Sequence, residues 1–111
     1  MSKQSSCIAI FSSFSEASAA RQTLKNSAIN NQQIVLLDKD LKEAPASTNI
    51  HNYFNQISVP EDTMHCYLCL LHSGSLLLIT SGTSQEIELA YQILEKKGFA
   101  SSIHFNANSH N

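Results

Sequence analysis

The stretch His65-Cys66-Tyr67-Leu68-Cys69-Leu70-Leu71-His72 gathers a C-x-x-C and two histidines into eight residues, the densest set of reactive side chains in the sequence. On a helix, His65, Cys69 and His72 share one face at i, i+4 and i+7, with Cys66 one position away, so a soft metal would meet three ligands. A structural zinc site draws its second ligand pair from elsewhere in the chain. Only Cys7, His51, His104 and His110 remain for that, and none are paired by spacing. Thioredoxin-type chemistry needs the C-x-x-C at a helix start, where the dipole lowers the thiol pKa, and here it falls mid-helix. Cysteine is a common small core residue and a histidine near a helix C-terminus is favoured by the dipole, so packing is the simpler role. No metal site and no cofactor are expected, with His65, Cys69 and His72 as the candidate ligands to be checked.

The other polar groups are accounted for structurally. Asp38, Asp40 and Glu43 alternate with Lys39 and Lys42 after an apolar run, as a solvated charged connection does. Glu16 and Glu86 each stand three residues after a Ser or Thr, the spacing of a helix capping box. Three glycines and no G-x-x-x-x-G-K or G-x-G-x-x-G leave no loop to cradle a phosphate. No catalytic residue is expected.

The elements that must position these residues follow from hydrophobic period. CIAIF (7–11) is a buried strand, and Ser13 with Glu16 then caps a helix whose apolar positions are Ala17, Ala20, Leu24 and Ala28. Asn30-Asn31 closes this unit, and IVLL (34–37) is a second buried strand. The order then repeats: SLLLIT (75–80) is a strand, Ser81-Gly82 a turn, and Thr83 with Glu86 caps a second helix. Its Ile87, Ala90 and Leu94 match Ala17, Ala20 and Leu24 at the same offsets from the caps. Lys96-Lys97-Gly98 ends that helix, SSIHF (101–105) is a last strand, and 106–111 is a polar tail. Between the halves, Ala44 to Ser47 is turn-like, and Ile50, Phe54 and Ile57 mark a short helical segment. Pro60, with Glu61 and Asp62, opens an inserted helix that ends near Ser73-Gly74.

These elements predict one α+β domain over 1–111, with an ordered core at 5–105. Its expected architecture is a ferredoxin-like split βαβ: a four-stranded antiparallel sheet, two helices on one face, and an inserted helix between strands 2 and 3. Strands apolar at consecutive positions imply that both sheet faces are buried, whereas two helices cover only one. The inserted helix or a second subunit must cover the other, and a C2 dimer is the economical form.

Composition narrows the partners. A net charge of −2 with seven scattered Lys and Arg gives no basic field for nucleic acid, and the strands lack the aromatics on which RNA bases stack. The apolar region 64–79 is interrupted by Ser73-Gly74-Ser75, leaving halves too short for a bilayer, so no membrane span is expected. Three cysteines without an export signal suit reduced thiols and a cytoplasmic location.

One resemblance bears on function. Val59-Pro60-Glu61-Asp62, then a helix carrying Tyr67, Ser73-Gly74-Ser75 before an aliphatic strand, and a capped helix ending Ile93-Leu94-Glu95-Lys96-Lys97-Gly98 resemble the low-molecular-weight general stress protein 17M-like domain. FSEASAA (14–20) is similar to that family's first-helix start. The Gly-rich segment often found before the family's Pro-started helix is replaced here by Asn, Ser and Ala. The resemblance implies a bacterial, stress-associated accessory protein and brings no site residues. The open sheet face and the apolar inserted helix make the expected function a non-enzymatic regulatory or protein-interaction module, acting as a homodimer or by docking on a protein partner, with Tyr67, Leu70 and Leu71 as its surface. The alternatives are a small-molecule or metal sensor on the inserted-helix face and, last, a small enzyme.

Overall fold

The computed structural model describes residues 4–27, 29–30, 33–44, 49–98 and 100–107. Ala28, Asn31, the segment Pro45 to Ser47 expected to be turn-like and the tail residues 108–111 lie outside them. The chain forms β1 (Ser5–Phe11), α1 (Phe14–Lys25), β2 (Ile34–Leu37), α2 (Ile50–Gln56), α3 (Glu61–His72), β3 (Leu76–Gly82), α4 (Ser84–Lys97) and β4 (Ser102–Asn106). The strands make one sheet in the order β2-β3-β1-β4, with every neighbouring pair antiparallel. β1 and β2 are therefore parallel with β3 between them, and β3 and β4 are parallel with β1 between them. The result is an α+β fold with an open four-stranded sheet.

Strand alternation sends side chains to two cores. Cys7, Ala9, Phe11, Ile34, Leu36 and Leu78 face α1 and α4, meeting Ala17, Ala20 and Leu24 from one helix and Ile87, Ala90 and Leu94 from the other. The small alanines let both helices lie close to the sheet. Thr83 and Glu86 complete a reciprocal capping box, while at α1 the Ser13 hydroxyl accepts from the Glu16 amide at 3.4 Å. Gly98, at φ 77°, supplies the left-handed stop that the sequence places there.

On the second face the inserted helix, joined by α2, is the cover. Ile8, Ile10, Leu37, Leu77 and Ile79 pack against Tyr53, Phe54 and Ile57 from α2 and its end, and against Met64, Tyr67 and Leu71 from α3. Two inserted helices cover this face, so no second subunit is needed over it. Each such aromatic or aliphatic side chain contributes about 2 kcal/mol on burial. The short helix marked by Ile50, Phe54 and Ile57 is α2, capped by the Asn49 side chain accepting from the Asn52 amide at 2.8 Å.

The ends of elements shift by a residue or two for identifiable reasons. β1 starts at Ser5 because its polar first residues are buried with partners: the Ser6 hydroxyl donates to the Ile57 carbonyl at 2.7 Å, and Ser5 meets Ser84 at 3.3 Å. Pro60 is the extended cap of α3 and the helix begins at Glu61. Among the described residues, no helix is long and apolar enough to cross a membrane.

Candidate functional site

The two outer strands of a sheet each expose a row of main-chain donors and acceptors, and folded chains usually cover them. At β2 the cover is built from the charged connection. The Asp38 side chain accepts from the Asp40 amide at 3.0 Å, and Leu41, at φ 54°, turns the chain back along the strand. Glu43 is thereby delivered to the edge, where its carboxylate accepts from the Leu36 amide at 3.1 Å and pairs with Arg21. At the start of the same strand, the Gln33 side chain donates to the Ser81 carbonyl at 2.9 Å and to Glu86 at 3.1 Å. Glu43, expected only as a solvated acid, is a cap on the sheet edge; Asp38 shapes the turn that carries it there.

Among the described residues, β4, at the other end of the sheet, carries no such cap. The Leu36 amide points away from β3, and antiparallel alternation propagates from that bond across the registers Leu36↔Leu78, Ala9↔Leu78 and Ile8↔His104. It directs the amides of Ser102, His104 and Asn106 toward β1 and those of Ile103 and Phe105 outward. The Ile10 carbonyl points toward β4, as the pairing of Ile10 with Ser102 requires, and it accepts from the amide of Ser101, which lies one residue before β4 and outside its alternation, at 2.8 Å. Among the described residues no hydrogen bond from outside the sheet's own ladder reaches the Ile103 or Phe105 amide. The strand contains no charged residue and no proline, and Phe105 is 41% exposed.

The inner face of β4 is locked to α3. The Tyr67 hydroxyl and His104 Nδ1 are 2.8 Å apart, His104 Nε2 lies 2.8 Å from the Ser102 hydroxyl, and the two rings sit 5.7 Å apart at 32°. A neutral imidazole donates at one nitrogen and accepts at the other, so this chain fixes the ring whichever tautomer it adopts. Burial pushes the Tyr67 phenol above its ordinary pKa, partly offset by the Asn106 side chain, so it stays protonated. A Ser-His pair is the nucleophile-base combination of acyl-transfer enzymes. Here both belong to one exposed strand and the histidine's second nitrogen meets a neutral phenol in place of a carboxylate. The arrangement positions β4 against the core.

The reactive octapeptide divides across α3. Tyr67 and Leu71 are 1% and 2% exposed and belong to the core, which corrects their expected place on the surface, because helical spacing puts them with Met64 against the sheet. Leu70 is half-buried. His65, Cys66 and Cys69 are exposed and line an open groove of about 430 Å³ with Leu70 and Ser73. His72 is exposed at the last turn but does not line it. The His51 and His65 rings meet edge to face at 6.4 Å, and Glu61 lies 3.9 Å from His65. Among the described residues, no three His, Cys, Asp or Glu side chains come together as a metal-holding group. Cys7 is buried beneath the α1 and α4 layer, and burial pushes its thiol up to about 12.

Sequence reasoning missed the roles of Glu43 and His104. Glu43 left a faint signal, an acid placed a short turn after an apolar strand. His104 left none, since its partner Tyr67 stands 37 residues away. No family model, curated protein or solved structure matches the chain.

Proposed function

We propose that the chain is a protein-interaction module that works by adding a strand to the open edge of β4, through self-association or docking on another protein. The observation that carries this is the contrast in edge cover: a carboxylate occupies the β2 edge amide, whereas the outward amides of Ile103 and Phe105 stand free of any described partner. Strand addition takes its affinity from main-chain hydrogen bonds and needs no catalytic group. The ferredoxin-like reading belongs to the same proposal, supported by the interleaved order β2-β3-β1-β4. A stress-associated role rests on the 17M-like motif string alone.

The test is a titration of isotope-labelled protein with a synthetic peptide spanning 101–107, followed through the backbone amide signals. Saturable shifts centred on Ile103 and Phe105, with Leu36 unmoved, are expected. A protein that binds no such peptide and also keeps the chain mass at every concentration would overturn the reading. The rival, a small-molecule sensor on the α3 groove, is favoured by the exposed thiols of Cys66 and Cys69 beside Leu70. Ligand-induced shifts confined to that groove would support it.

A further inference from the structure

Resting on the strand-addition reading, we infer that the partner of β4 is a second copy of this chain, joined about a two-fold axis at His104 so that two sheets become one. The geometry of the strand selects both partner and register. Residues that can bond outward are Ile103 and Phe105, one on each side of His104. An antiparallel copy centred on His104 sets Ile103 against the partner's Phe105 and Phe105 against the partner's Ile103. Both pairs then exchange their N–H and C=O groups, giving about four new main-chain hydrogen bonds. Centring on Ile103 would bring the Ser101 amide to the seam, but that amide is already committed to the Ile10 carbonyl. Centring on Phe105 would leave Ile103 opposite Ala107, beyond the end of β4.

Side chains agree with this register. Paired residues of neighbouring strands share a face, so Ile103 and Phe105 follow Ala9 and Cys7 onto the α1 and α4 side. Across the axis the half-buried Ile103 would lie on the 41%-exposed ring of the partner's Phe105, extending the existing apolar layer. Aromatic and β-branched residues directly opposite one another are a favourable cross-strand pair. The strand has no Asp, Glu, Lys or Arg to set like charges against each other across the axis, and of the usual edge defences it carries neither a lysine nor a proline. At the β2 edge a pairing strand would have to displace Glu43 from the Leu36 amide. A closed two-fold also consumes both open edges and stops there, which suits a discrete assembly.

Disulfide trapping reads the register directly. In a Cys66→Ser/Cys69→Ser background, His104→Cys is placed opposite itself in a non-hydrogen-bonded pair, where Cα atoms are about 4.5 Å apart. That lies inside the disulfide window of roughly 4.4–6.8 Å. Mild oxidation of the full chain is expected to give a covalent dimer for His104→Cys, and little for Ile103→Cys or Phe105→Cys, each of which faces a different residue. Light scattering on the unmodified chain should show twice the chain mass at high concentration, and Phe105→Pro should return it to the monomer mass with its circular dichroism intact. A chain that stays monomeric while the 101–107 peptide still shifts Ile103 and Phe105 would overturn the inference and leave the strand-addition reading standing. A dimer trapped through Ile103→Cys or Phe105→Cys would overturn the register, and one insensitive to Phe105→Pro would overturn the interface.

Discussion

The two edges of the sheet differ in how the chain spends its polar residues. Beside β2, a turn of seven residues from Asp38 to Ala44 returns along the strand and sets Glu43 on the Leu36 amide, with Arg21 holding the carboxylate from α1. Beside β4, polar groups point the other way: Ser102, His104 and Tyr67 bond to each other on the inner face, and no described side chain caps the edge. Thus the same device, a side chain reaching a strand, caps an outward amide at one edge and merely aims the other. What the contrast teaches is that an open edge in a chain able to close one is a feature to be explained by use.

The heaviest way to break the comparison is to remove the sheet between its edges. Leu78 is fully buried in β3, which bridges β2 to β1, so Leu78→Asp puts an unpaired carboxylate into the α1 and α4 core. Loss of the cooperative thermal transition is expected, since this kind of burial costs on the order of 3–5 kcal/mol. Retained folding would mean that β3 is not central. A smaller perturbation is Phe54→Ala, which hollows the second core under α2. It should lower stability by about 3–4 kcal/mol in urea unfolding. A loss below about 1 kcal/mol would show that the α2 layer does not seal that face.

The next change acts on the covered edge. Glu43→Ala frees the Leu36 amide and deprives Arg21, whose Nε is buried, of its carboxylate partner. Stability should fall by about 1 kcal/mol, and association should rise through a second edge. Glu43→Gln, which keeps an oxygen acceptor, should restore most of the edge cover without the charge. Equal association of Ala and Gln variants with the parent chain would remove the capping role.

The smallest effect concerns Glu86. The Thr83 amide and the Gln33 side chain hold its carboxyl below the usual carboxylate range. The sign follows: a carboxyl depressed in the folded state contributes stability that is fully present above its unfolded pKa and is lost as pH falls through the folded value. The midpoint difference between the parent chain and Glu86→Gln should therefore be visible near neutrality and shrink in acid. A difference that grows on acidification would reverse this assignment. Gly82 belongs to the same corner, because a Cβ there would meet Gln33 Nε2 and Glu86 Oε1.

What was legible in the sequence is what local pattern encodes. The strands CIAIF, IVLL and SLLLIT, the caps at Ser13 and Thr83, and the matched triads Ala17-Ala20-Leu24 and Ile87-Ala90-Leu94 follow from period and capping, and the helices lie where those signals place them. The second core was only half legible. Tyr67 and Leu71 carry the right spacing for a buried face, but the C-x-x-C and the histidines interleaved with them give the opposite side of the same helix the stronger chemical pattern. The edge cap and the Tyr67–His104 contact were not legible, because each joins segments whose approach is decided by topology and no periodicity records it.

The central claim is the difference between the edges, and amide hydrogen exchange measured residue by residue tests it most directly. In dilute solution the Leu36 amide should be protected while those of Ile103 and Phe105 exchange near the unstructured rate, and raising the concentration should protect Ile103 and Phe105 alone. Protection of Ile103 and Phe105 in the dilute chain, or their indifference to concentration, would contradict the account.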